Sequence, residues 1–356
     1  MNFDIVMPAV LFFIVLVAIF IGRKAEPRLK ATIEEREFKN RDVALLVVVI
    51  GVAITVVMFI PNMALLALFL FSYSSLLFTV SYAFSDLKKY RTTLLCLGFL
   101  IASVIATVAG FLGVMPANLS FYGVMAFTVF AAANVVIMMY TYQRRAEGKQ
   151  KWYIAGLPPA LFLLLFIFFS ETFVWMPFLL DVYGAIFAML IIIYLNSLFT
   201  WKTVFVFAAA LTTMDVLMVW IIPGSPMITA AKAMSGLHLP VMVTFPTIPN
   251  VSWNWEQMRY ISLGLGDLFF AGVLASQTLK KFGTKIAAVS LLTICISFGI
   301  FELILLNPEL TAALPVPALP ATLPILLGWL PVVSVKMFLE RGKKSKEEQN
   351  QSQTKQ

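Results

Sequence analysis

The sequence predicts an all-α fold, a polytopic transmembrane helix bundle of about eleven spans. Three observations predict it. Of the 356 residues, 61% are hydrophobic and only 12% are charged, against roughly 45–50% and 25% in soluble domains. The apolar residues gather in runs of about 20, the length a helix needs to cross the hydrocarbon. The Lys and Arg residues sit in short islands between those runs, the pattern that orients a membrane protein. This composition excludes an ordinary soluble enzyme, a disordered chain and a nucleic-acid module. The bilayer is the expected partner and nucleic acid is not.

The candidate spans lie near 5–22, 43–60, 63–84, 93–114, 121–142, 154–173, 177–198, 202–222, 259–279, 286–306 and 314–338. The second and third are parted only by the turn pair Pro61-Asn62. With the N-terminus outside and the C-terminus inside, every basic residue but Lys232 and Arg259 falls on the inner side. An asymmetry that large supports both the count and the orientation. The first run follows Asp4 and precedes seven basic residues, so it reads as a retained signal anchor rather than a cleaved peptide. Residues 341–356, rich in Lys, Glu, Gln and Ser, are expected to form a disordered cytoplasmic tail. The compact loops point to the cytoplasmic membrane of a prokaryote, an archaeon among the candidates.

Few residue types remain for chemistry. Cys96 and Cys295 lie in different apolar runs and make neither a disulfide framework nor a metal cluster, and His238 is the single histidine. No metal and no cofactor is expected. Asn134 and Asn196 read as hydrogen-bonders between helices. Acids inside a bilayer are costly and usually functional. Glu171, Asp181 and Glu302 stand near span ends and read as interfacial or snorkelling groups. Asp215 and Asp267 differ: they sit roughly 10 and 12 Å below the outer surface of consecutive antiparallel spans. No Lys, Arg or His shares that depth. Two such carboxyls meeting in low dielectric cannot both ionise easily and tend to share one proton. The pair can then activate a water and protonate a leaving amine. Spacing alone leaves this reading level with two unrelated acids, each hydrogen-bonded in its own helix contact.

The local sequence separates the two. Gly264-Leu265-Gly266-Asp267 is followed by Leu268-Phe269-Phe270; Met214-Asp215-Val216-Leu217-Met218-Val219 is followed by Pro223-Gly224-Ser225-Pro226. Next come Met227 to Lys232 and Thr244-Phe245-Pro246, and Pro317-Ala318-Leu319-Pro320 opens the last span. Four elements in this order, over about 200–325, resemble the presenilin and signal peptide peptidase family of intramembrane aspartyl proteases. The resemblance implies a presenilin-like catalytic core over 200–340, with Asp215 and Asp267 as the catalytic pair. It implies that Gly264, Leu265, Gly266, Met214, Pro317, Ala318 and Leu319 support the site or hold substrate. The substrates implied are transmembrane segments of membrane proteins or signal peptides. The connection 223–258 falls outside by the charge count, as in signal peptide peptidase and opposite to presenilin.

Two departures accompany the resemblance. Met214 stands where the family has Tyr. The family has nine spans, so the seven within 1–199 include a surplus helix pair, expected among the first four. Gly264 and Gly266 have a plain reading as close-packing residues and a functional one, in which they loosen the helix beside Asp267. Rival functions are a proton-coupled transporter or cation channel using the same acids, and a homologue that binds helices without cutting them.

Overall fold

The computed structural model describes residues 4–32, 37–57, 59–143, 151–222, 229–230, 234, 236–246, 260–307, 309 and 320–354. Among them eleven long helices fall on the eleven apolar runs. They are α1 (Val6–Thr32), α2 (Asn40–Val57), α3 (Asn62–Ala83), α4 (Lys89–Phe111) and α5 (Ala117–Gln143). Then come α6 (Trp152–Phe169), α7 (Trp175–Asn196), α8 (Trp201–Ile221), α9 (Leu265–Phe282), α10 (Thr284–Leu306) and α11 (Thr322–Thr354). Ten of them are long and apolar enough to cross a membrane. The remaining one, α9, carries Asp267, Lys280 and Lys281 within 18 residues. The protein is thus an all-α polytopic bundle, with the features of an integral multi-pass membrane protein.

Helix α9 forms the centre. Every residue from Leu268 to Thr278 is buried, the all-round burial expected of a core helix rather than an amphipathic one. It is surrounded by α1, α7, α8, α10 and α11. A side chain at Gly272 would meet three atoms of Ile192 at 2.6–2.9 Å, so α7 and α9 touch almost backbone to side chain there. At Gly328 of α11 a Cβ would lie 2.5 Å from the Thr293 carbonyl of α10, the close helix crossing that small residues permit. On the periphery the relation inverts. Phe13, Phe20, Val48, Phe71 and Ile105 are exposed, as apolar groups facing lipid would be. Helix α2 packs on α8 and α3 on α6, whereas α4 and α5 pack chiefly on each other and join the bundle through α6.

Among the described residues, two strands interrupt the helical pattern. Strand β1 (Met242–Pro246) pairs antiparallel with β2 (Tyr260–Gly264), Thr244 opposite Ser262 and Met242 opposite Gly264. The ninth apolar run therefore enters as a strand, and its helix begins at Leu265 instead of 259. The run Ile261-Ser262-Leu263 alternates in burial, and Gly264-Leu265-Gly266 offers poor helix propensity at the junction. The last helix also departs from expectation. It runs on through 341–354, where a disordered tail was expected; Lys, Glu and Gln propagate a helix well once α11 has nucleated it.

Candidate active site

The site forms where α8, α9 and α11 meet. Thr200 opens α8 as an N-cap, its hydroxyl accepting from the Thr203 N–H at 3.3 Å while Thr203 Oγ1 accepts from the Thr200 N–H at 2.9 Å. Four turns later Asp215 is 4% exposed. Directly after it, Leu217–Ile221 widens into a π-helical turn, a distortion often found at functional sites. Thr322, in the first turn of α11, donates its hydroxyl to Asp215 Oδ2 at 2.6 Å, and its backbone N–H points to the same carboxyl.

Asp267 stands at the third position of α9 and reaches back to the backbone N–H of Gly264, the helix N-cap. That is one half of a capping box. The register explains why the N–H is available. Leu265 donates to the Val241 carbonyl at 3.0 Å, so Val241–Leu265 is a hydrogen-bonded pair and the next pair, Met242–Gly264, turns its backbone groups outward. Asp267 is half-buried and close enough to Asp215 for the two carboxylates to repel each other. The structure thus places the two acids on helices that pack together, within electrostatic reach of each other.

The supporting residues divide. A side chain at Gly264 would lie 3.2 Å from Asp267 Oδ2, so glycine there leaves room for the carboxyl. It is the N-cap and stands just before the first turn of the helix. Gly266 is exposed, and a Cβ there would meet nothing within 4 Å. Leu265 is buried and anchors the junction in the core. Met214 does not turn toward the acids. Its sulfur lies 3.0 Å from where a Cβ on Gly51 would stand, and it lines an apolar groove of about 870 Å³ between α2 and α8. Thr55, Ala210, Thr213 and Leu217 line the same groove. Pro317, Ala318 and Leu319 lie outside the described residues, as do 223–228 and Lys232.

Several groups depart from the expected roles. Asp181 is no headgroup contact: its Oδ1 accepts from the Thr244 N–H at 2.6 Å and ties β1 to α7. Beside it Gly184 faces the Met242 carbonyl, where a Cβ would come within 3.0 Å. The approach to β1 is held as well, since Trp175 Nε1 donates to the His238 carbonyl at 2.9 Å and the Tyr73 hydroxyl to the Pro240 carbonyl at 3.3 Å. Glu302 does not snorkel. It is 3% exposed and faces Asp4, itself buried, across the α1–α10 contact. Asn134 bonds within its own helix, to the Phe130 carbonyl, whereas Asn196 does join two helices through Gln277.

Sequence reading missed Thr322 and the hairpin anchors. Thr322 had one signal, a hydroxyl just past Pro320 at the start of an apolar run. Asp181 had none, because its partner is a backbone N–H some 60 residues away. Among the described residues, no three His, Cys, Asp or Glu gather as metal ligands.

Compared with models of protein families and with curated protein sequences, the chain matches none. A functional reading therefore rests on the chain's own motifs and geometry.

Proposed function

We propose that the protein is an intramembrane aspartyl protease of the presenilin and signal peptide peptidase type. The observation that carries the reading is that Asp215 and Asp267, two carboxyls from separate packed helices, lie within electrostatic reach of each other. One carboxylate of the pair takes a proton from water, which attacks the scissile carbonyl, while the other carboxyl, protonated, gives its proton to the carbonyl oxygen; the proton taken from water then passes to the leaving amine, and the second carboxylate recovers its proton as the diol collapses to the new carboxylic acid. Thr322 holds the Asp215 carboxyl and Gly264 that of Asp267, so both are oriented before substrate arrives.

Cleavage requires a substrate helix to unwind, because helical carbonyls are hydrogen-bonded. The hairpin supplies a template for the unwound segment. Thr244 turns its N–H to Asp181, away from β2, so its partner Ser262 turns its own backbone groups to the opposite edge. Ser262 is exposed on that edge, beside the entry to the Asp267 helix, where an extended peptide can add as a further strand. In this reading α9 crosses the membrane as an eleventh span, and the N-terminus lies outside. The surplus pair relative to the family is then α4–α5 rather than two of the first four, because α1 and α2 pack directly on α9 and α8.

The test is incubation of the purified protein with a transmembrane peptide, with and without an aspartyl-protease transition-state analogue. Cleavage that the analogue blocks is expected. Asp215→Ala and Asp267→Ala should each abolish it while leaving the protein folded, and the double variant should be no worse than either single one. Proteolysis persisting in either variant would sink the assignment; a folded protein that binds the peptide without cutting it would favour the non-cleaving homologue.

A further inference from the structure

The opposite end of the bundle holds a second, polar cavity. It has a volume of about 260 Å³ and lies between the second half of α1 and the last turns of α7 and α9. Gly22, Arg23 and Glu26 of α1, Asn196 of α7, and Ser276 and Lys280 of α9 line it. Lys280 and Asp267 are 13 residues apart on one helix, roughly 20 Å, so the cavity is separate from the acids.

The donors there outnumber the acceptors. Gln277 donates to Asn196 Oδ1 at 2.9 Å, which fixes that amide and leaves its Nδ2 for the cavity. Lys280 Nζ reaches Glu26 Oε1 at 2.8 Å and the Asn196 carbonyl at 3.0 Å, using two of its three protons. The Glu26 charge is thereby matched. Arg23 is exposed and, among the described residues, has no carboxylate within ion-pairing distance. The Ser276 hydroxyl opens on the same space. The cavity therefore carries one net positive charge, with amide, hydroxyl, ammonium and guanidinium donors converging.

We propose that this cavity binds a phosphate oxyanion, the headgroup phosphate of an anionic phospholipid. The location argues for the lipid. Lys24 adjoins the cavity-lining Arg23, and Lys202, Lys281 and Lys285 stand where α8 begins, α9 ends and α10 begins; a basic pocket between transmembrane helices at such a bundle end is where anionic headgroups are held. The volume argues for a headgroup alone. It falls just below the roughly 300–1,000 Å³ of small-molecule sites, so the acyl chains stay in the bilayer beside exposed Phe20 and Ile21. The inference stands whether or not the aspartates cut peptides.

The experiment is native mass spectrometry of the full chain in mild detergent, titrated with phosphatidylglycerol or phosphatidylcholine. Phosphatidylglycerol should bind at least about fivefold more tightly, the effect of one cation near a headgroup. Arg23→Gln should remove most of that preference, and Ser276→Leu, which fills the cavity, should do the same. Lys88→Gln, on the α3–α4 connection and outside the cavity, should leave it within about twofold. Inorganic phosphate forms a third arm: failure of millimolar phosphate to displace phosphatidylglycerol supports the lipid, whereas full displacement overturns the lipid assignment in favour of the free anion. Equal binding of the two lipids, or Arg23→Gln and Ser276→Leu variants that bind like the parent chain, overturns the site.

Discussion

Thr322 decides how Asp215 is presented. A hydroxyl at 2.6 Å, together with the Thr322 backbone N–H, fixes the orientation of the carboxyl. Hydrogen bonds to charged groups contribute roughly 1.5–3 kcal/mol, so Thr322→Val should lower kcat by about 10-fold or more. Thr322→Ser, which keeps the hydroxyl, should restore most of it, and KM should change little in both. Peptide-cleavage kinetics of the two variants check this. The pair of acids also sets a pH profile. The proposed active form holds one proton between two carboxyls, so activity should fall when the pair gains its second proton and again when it loses its only one. The rate should be bell-shaped, with both limbs belonging to the pair and not to single residues. A flat profile from acid to alkaline pH, with the fold intact and chemistry limiting, would contradict one-proton catalysis.

At the scale of the element, the β-hairpin is what differs from a plain helix bundle. Its first strand is fastened to α7 by the Asp181–Thr244 bond, and its second strand runs straight into α9. Asp181→Ala removes the acceptor of a part-buried N–H, which costs about 1 kcal/mol. The expected result is faster hydrogen exchange over 242–246 and a lower melting temperature, with Asp181→Asn less affected because its amide oxygen can still accept. If the hairpin presents the substrate, Asp181→Ala should raise KM as well. Asp181 looked interfacial in the sequence because proximity to a span end is visible there, whereas a bond to a distant backbone N–H is not. The boundaries of α9 failed for a related reason: an apolar run of five residues reads equally as strand or helix until its partner strand is known.

For the whole molecule, topology is the open quantity, and it is directly measurable. Single cysteines placed in a background without Cys96 and Cys295 should react with a membrane-impermeant maleimide from outside at position 250, and only after permeabilisation at 88, 281 and 341. Labelling of 250 and 281 from the same side would remove α9 as a span and with it the proposed orientation. The sequence by itself determined the class of the protein, because membrane insertion depends on the length and polarity of each run taken alone. It also marked Asp215 and Asp267, since charge in an apolar run stands out without any tertiary knowledge. Only the tertiary structure decided that the two acids come within electrostatic reach of each other, that Thr322 holds one of them, that Met214 faces the α2–α8 groove and that Asp181 anchors a strand. Those are contacts between segments tens to more than a hundred residues apart, and helix packing, which no local pattern encodes, is what selects them.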